Sequence, residues 1–346
     1  MNRESRSGSI AWQFLMPLIV LSGLLIAYMA YWFLARGEIL AWAENWVEAQ
    51  NQAGYVIEYD RLRVGGFPLR FELIADGIDA TAPPHEGGWS IRTDQLTASA
   101  MPYDLTNWVI DMSAPLDFES IYPDRRIRHF EASTARLNIG SGGQGTQRIG
   151  LIVDDLSISV LEGGAVPVQS IASLRIDGEI RDGDTLRVQS EITDLVFNRD
   201  GLDTPLIDAF GQTVDHIDAD FSILRWPSLA SNGDIANWGR DRGRLVIDST
   251  RIDWGEANLT IDGDLGLDSA VQPEGHLSLY FVDPDAVIAR LETANLINRD
   301  NARAMRLLAQ AAPRDDRGSA LPLSLRRGGV YIGPLRLGHT GSLASN

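Results

Sequence analysis

Three sets of residues in this chain have the types and spacing that chemistry uses. Gly140-Ser141-Gly142-Gly143-Gln144-Gly145 satisfies G-x-G-x-x-G, the pattern that cradles a dinucleotide pyrophosphate. It works only between a strand and the N-terminus of a helix, whereas residues 148–160 behind it read as strand. It is therefore read as a loop. His216, Asp218 and Asp220 would share one strand face and could offer three ligands to a metal ion. No obvious fourth group accompanies them, and carboxylates on a solvated face are ordinary. The acidic pairs Asp154-Asp155 and Asp315-Asp316 read as loop charges, and His85, His129, His276 and His339 are dispersed in loops or strand ends. There is no G-x-S-x-G elbow, no H-E-x-x-H and no P-loop. Triads can assemble from distant residues, but no motif recommends an enzyme, and no catalytic residue, metal or cofactor is expected.

Composition narrows the partners. The 346 residues hold 30 basic and 47 acidic side chains, a net charge of −17, and no cysteine. Disulfides, thiolate chemistry and Cys-ligated zinc are thereby excluded. So acidic a chain would repel the phosphates of nucleic acid, and no nucleic-acid partner is expected. Aromatic content of 8% and hydrophobic content of 44% fit an ordered globular chain.

The element that must position everything else is the run from Ile10 to Ala35, uncharged back to Ser7. As a helix rising about 1.5 Å per residue it reaches roughly 39 Å, enough for a hydrocarbon core of about 30 Å with tilt. Trp12 near one end and Tyr28, Tyr31 and Trp32 near the other suit the two interfaces. Arg3 and Arg6 precede it, and Glu38, Glu44 and Glu48 come after Arg36. The positive-inside rule then puts residues 1–9 in the cytoplasm, the anchor at 10–35, and the rest outside the inner membrane. The rival is a cleaved signal peptide, with a small-x-small site at Ala41-Trp42-Ala43. The apolar run is far longer than a signal h-region of roughly 7–15 residues, so an uncleaved anchor is expected.

Residues 36–54 read as a membrane-proximal helix with Ile39, Trp42, Trp46, Ala49 and Ala53 as its stripe, ended by Gly54. It could lie on the membrane or cap the adjoining sheet, and capping is the commoner arrangement. From Tyr55 the period changes to two. Tyr55, Ile57, Tyr59, then Phe67, Leu69, Phe71, Leu73, and later Leu186, Val188, Ser190, Ile192 alternate with polar residues. Leu174–Ile180 and Leu259–Leu265 resemble each other, each opening a hairpin, either by repetition or by chance. Short helices are expected at 205–210, 284–294 behind an Asp283 cap, and 299–311. The fold class is mainly β. A transmembrane helix precedes an elongated, curved antiparallel domain over 55–338 in the periplasm, with a frayed tail at 339–346.

Gly66-Phe67-Pro68-Leu69-Arg70-Phe71, behind an N-terminal span and a Trp-bearing helix ending in Gly-Tyr, resembles a bacterial family. It is known as domain of unknown function 2125, mostly from alphaproteobacteria. Leu321–Leu325, Gly329–Leu335 and the stretch from Leu259 to Leu279 are similar to its later segments. More distantly, the plan is similar to AsmA-like envelope proteins, which implies an anchored, curved sheet with an apolar inner face associated with lipid. The family supplies no catalytic residues. Gly66, Phe67, Pro68 and Arg70 are expected to be structural, with Phe67 and Leu69 facing the core and Arg70 the other side. Two functions are open. The sheet binds or passes acyl chains between membrane and periplasm, or it is a non-catalytic envelope scaffold or assembly factor with a closed core. Beyond the membrane and lipid, no protein partner is identified. Alternation alone does not separate the two, because a groove face and a core face alternate alike.

Overall fold

A single helix opens the chain. In the computed structural model, which describes residues 8–84, 88–120, 128–142, 146–160, 166–200, 204–230 and 235–343, α1 runs unbroken from Gly8 to Gln52. The expected anchor and the expected membrane-proximal helix are thus one rod of 45 residues, about 67 Å long at about 1.5 Å per residue. Gly54 ends it at φ +100°, and the Tyr55 amide donates back to the Gln50 carbonyl at 3.1 Å. That is the left-handed closure for which a glycine is suited.

Beyond Tyr55 the chain forms one long, curved, open antiparallel sheet. Its strands are β1 Val56–Glu58, β2 Arg61–Gly65, β3 Phe71–Thr81, β4 Ser90–Met101, β5 Asp104–Ser120, β6 Arg128–Ser141, β7 Gln147–Val160, β8 Val168–Arg181 and β9 Thr185–Phe197. They continue as β10 Thr213–Leu224, β11 Arg244–Trp254, β12 Ala257–Leu267 and β13 Pro273–Phe281. The last are β14 Arg314–Asp315, β15 Gly318–Arg326, β16 Gly329–Ile332 and β17 Leu335–His339. From β3 to β13 each strand pairs with the next in sequence, so the sheet is a meander. β1 and β2 lie end to end along β3, while β15 pairs with β13, β14 and β16, and β16 with β17. The two similar hairpins expected from sequence are β8–β9 and β12–β13 of this meander.

These strands are long, up to 17 residues in β5, where about 5–6 is usual. A seam of backbone irregularity across their middles makes that possible. Gly77, Asp94, Ser133, Asp155, Ala172, Asp194 and Asp215 have no ladder partner, and β5 carries Ala114-Pro115 in the same row. Gly77, Asp155 and Asp194 have φ of +64°, +52° and +49°. At the seam the period-two pattern changes phase. β7 reads Ile149, Leu151, Val153 before it and Leu156, Ile158, Val160 after it. Without the change a strand would turn its second half inside out. With it, Leu116, Ala132, Ala135 and Val153, drawn from both halves, form one cluster.

Among the described residues, helices cover only the ends of this face. Trp32, Ile39 and Leu40 of α1 pack on Val64, Phe71 and Leu73. At the other end α5 Pro284–Thr293 and α6 Arg299–Ala311 bury Val287, Ile288, Ala302 and Met305 against Phe281, Leu321 and Ile332. Asp283 caps α5 as expected, accepting from the Ala286 amide at 3.1 Å. Among the described residues three further short helices are α2 Thr204–Phe210, α3 Trp226–Ala230 and α4 Ile235–Arg240. The first was expected and the other two were not.

Four expectations are corrected. Residues 66–70 form the turn between β2 and β3, not a strand, and both Phe67 and Leu69 are exposed. The α1 stripe against the sheet is Trp32, Ile39, Leu40 and Ala43, leaving Trp42 and Trp46 outside, because the inward face runs through Ala43 and not Trp42, a rotation of about 100° on a helix of about 3.6 residues per turn. Asp154-Asp155 sits inside β7 at the seam, where Ser133, Thr134 and Ser173 hydroxyls donate to the two carboxylates at 2.9–3.0 Å. Residues 339–343 are tied down, since the Thr340 amide donates to Gly328 and the Leu343 amide to Val271.

Candidate functional site

Strand register sorts the sheet into two unlike faces. One is charged. Across it Arg63 pairs with Asp76, Arg92 with Asp79, Arg136 with Asp111, Arg148 with Glu179, Arg175 with Glu191, Arg187 with Asp220 and Arg244 with Asp264. Such pairs on neighbouring strands stabilise the register by small amounts each. Asp220 is held below the usual carboxylate range by the Arg187 guanidinium, with help from Gln189. Asp76 is lowered by Gln95 and Arg63, and Glu179 by Arg181 and Arg148.

The other face is predominantly apolar, with Thr93, Ser190 and Thr250 among its few polar residues. Rows such as Ile110–Leu137–Leu151–Ile176 and Ile192–Ile217–Ile252–Leu259 cross it from strand to strand. Over β4 to β11 the side chains gather into two clusters, one around Leu116, Ala135 and Val153 and one around Ile171, Leu195 and Val214. Neither cluster contains a helical residue. Leu137, Leu151, Leu174, Ile176 and Ile192 on this face keep partial exposure. Depressions of about 590 and 500 Å³ lie chiefly on the charged side, around Asn138, Arg148 and Asp177 and around Gln95, Asp111 and Arg136.

The residues singled out by sequence meet at the junction of α1 with this face. Gly66 has φ +90°, and a Cβ there would stand 2.5 Å from the Arg70 carbonyl oxygen, so only glycine fits. Phe67 stacks on Phe33 and meets Trp32 edge-on, and its peptide bond to Pro68 is cis. The Pro68 carbonyl accepts from the Tyr28 hydroxyl. The Arg70 carbonyl accepts from Trp32 Nε1 at 3.4 Å, and its guanidinium pairs with Glu72 at 2.5 Å. Phe71 beneath is fully buried and stacked on Trp32. The hexapeptide is thus the clasp between α1 and the sheet.

The other sequence candidates separate. His216, Asp218 and Asp220 do share the charged face of β10, but the Asp220 carboxylate is committed to Arg187 and Gln189. Gly140 and Ser141 end β6, and Gly143, Gln144 and Gly145 lie outside the described residues, as does His85. His276 and His339 fall in β13 and β17. One group escaped the sequence reading. His129 Nε2 is 3.0 Å from Glu131 and 3.8 Å from Asp117, and its Nδ1, buried without a hydrogen-bond partner, is 3.7 Å from Glu119. Asp117, His129 and Glu131 each bring a ligand atom within 4.8 Å of the others. These are ligand types a divalent cation accepts, and no second feature points to an ion. The pairs Asp117-x-Glu119 and His129-x-Glu131 were visible, but only the β5–β6 register joins them.

One helix among the described residues, α1, is long and apolar enough to cross a membrane. The sequence profile of a family described as an uncharacterized protein conserved in bacteria (DUF2125) matches residues 32–340. No curated protein and no solved structure matches the chain.

Proposed function

The chain belongs to the DUF2125 family of bacterial proteins, and from that premise we propose a non-catalytic, single-pass inner-membrane protein whose periplasmic sheet takes up lipid acyl chains. The observation that carries this reading is the apolar face over β4 to β11, continuous across the strands and free of any helical layer in its clusters. Aliphatic surface left half-covered on a chain this acidic calls for an apolar occupant. The clasp at Gly66–Phe71 sets the first strands of that face against the anchor, so a chain leaving the outer leaflet meets it without crossing water. Arg3 and Arg6 ahead of the apolar run support a cytoplasmic amino terminus.

A specific observation also favours a scaffold. Leu116, Ala132, Ala135 and Val153 are at most 9% exposed, so part of the face is filled by its own side chains. The readings part in one experiment. The full chain is exchanged into lipid-free amphipol, extracted with solvent and its lipid quantified beside Ile176→Asp and Leu151→Asp. Lipid retained by the wild type and lost in folded variants supports carriage. Equal traces in all three support the scaffold.

A further inference from the structure

Two loops of the sheet lie against the part of α1 that borders the bilayer. The Tyr28 hydroxyl donates to the Pro68 carbonyl and the Tyr31 hydroxyl to the Pro102 carbonyl at 2.9 Å. Phe33 stacks on Phe67. Tyr28, Tyr31 and Phe33 all belong to the uncharged run that begins at Ser7. From Ile10 to Tyr28 a helix rises about 27 Å at about 1.5 Å per residue, nearly the whole hydrocarbon thickness of about 30 Å. If α1 spans the membrane, Tyr28 stands at its outer boundary, and whatever touches Tyr28 stands there too.

The loops present the surface that such a position needs. Leu69 is 77% exposed and Tyr103 86%, with Phe67, Met101 and Leu105 also open. They come from separate turns, β2–β3 and β4–β5, yet both turns reach the same helix face. Nearby charges have partners. Arg70 is paired with Glu72, and the Asp104 carboxylate accepts from the Thr106 hydroxyl and Asn107. In water so many open apolar side chains on two adjacent turns are costly, whereas aromatic and aliphatic tips are at home at the headgroup–acyl boundary.

We infer that residues 66–70 and 101–105 form a lipid-inserting edge, so that the sheet is seated in the outer surface of the bilayer rather than held above it on a stalk. The partner is the lipid surface itself. The inference rests on the anchored reading of α1 but not on acyl-chain carriage.

Because the chain has no cysteine, single-cysteine variants report one site each. Leu69→Cys, Tyr103→Cys, Leu21→Cys and Gln189→Cys, each carrying an environment-sensitive fluorophore, are reconstituted as full chains into phosphatidylethanolamine–phosphatidylglycerol vesicles. Leu21 reports the anchor and Gln189 the charged face. Loss of emission with acyl-brominated lipid at Leu69 and Tyr103, together with shielding from aqueous iodide, is the expected result. Iodide quenching at both loop sites with lipid quenching at Leu21 would overturn the inference and leave the anchor standing. Iodide quenching at Leu21 as well would overturn the anchor and the inference together.

Discussion

At the scale of single residues, the clasp separates side chains that hold the fold from those that face outward. Phe71 is fully buried against Trp32 and Val64, so Phe71→Ala should cost about 3–5 kcal/mol in chemical denaturation. Phe67→Ala should cost markedly less, since 45% of that residue is exposed. Gly66→Ala forces a methyl against the Arg70 carbonyl at positive φ and should cost on the order of 1–3 kcal/mol. The charged face predicts a pH response. Asp76, Asp220 and Glu179 have folded pKa values lowered from ordinary values of 3.8, 3.8 and 4.5. Their pairing therefore contributes stability that is fully present above those values and lost as pH falls through the lowered ones. The thermal midpoint should stay level from neutral pH to about 4.5 and drop below it. That the motif was glycine, proline and aromatic was legible in the sequence. That Phe67 faces outward was not, because alternation with Leu69 and Phe71 is the same in a strand and in a turn leading into one. The His129 cluster was hidden for a related reason: it exists only through register.

At the scale of elements, the seam is the feature on which the sheet depends. Asp155 has φ +52° and lies where the pattern of β7 changes phase. Deleting it leaves β7 one residue short at a seam that β6 and β8 keep, which shifts Leu156, Ile158 and Val160 by one position against their partners and onto the charged side. The deletion variant should lose its protease-resistant core, whereas Asp155→Gly, which keeps the count and tolerates positive φ, should retain it. Resistance in the deletion variant would show that the seam is dispensable. The individual half-strands were legible as alternating runs, for instance Leu186 to Ile192. Their joining into strands of 11 to 17 residues was not, since a phase change reads as a strand ending. The helix behind Asp283 was legible because a cap is local chemistry. The helices α3 and α4, of five and six residues, are too short to show a helical period and were missed.

At the scale of the whole molecule, a long apolar helix is joined by a clasp to a two-faced sheet. Every strongly basic side chain in the sequence is arginine, which suits forked pairing to the carboxylates of neighbouring strands. Seven such pairs tie the charged face across its strands, and on the proposed reading the apolar face is the one that takes lipid. On the proposed topology, which rests on the arginines ahead of the apolar run, a reporter active only in the cytoplasm, fused after Asn346, should be silent, and activity would reverse the orientation. The most direct test of the account sets neighbours on opposite faces against each other. A photo-crosslinking amino acid at Ile176 or Leu151, on the apolar face, and at Arg175 or Asp177, on the charged one, is irradiated in cells grown with radiolabelled phosphate. The account predicts a lipid adduct at positions 176 and 151 and none at 175 and 177. Lipid adducts at none of the four, in protein that is folded and membrane-bound, would contradict it.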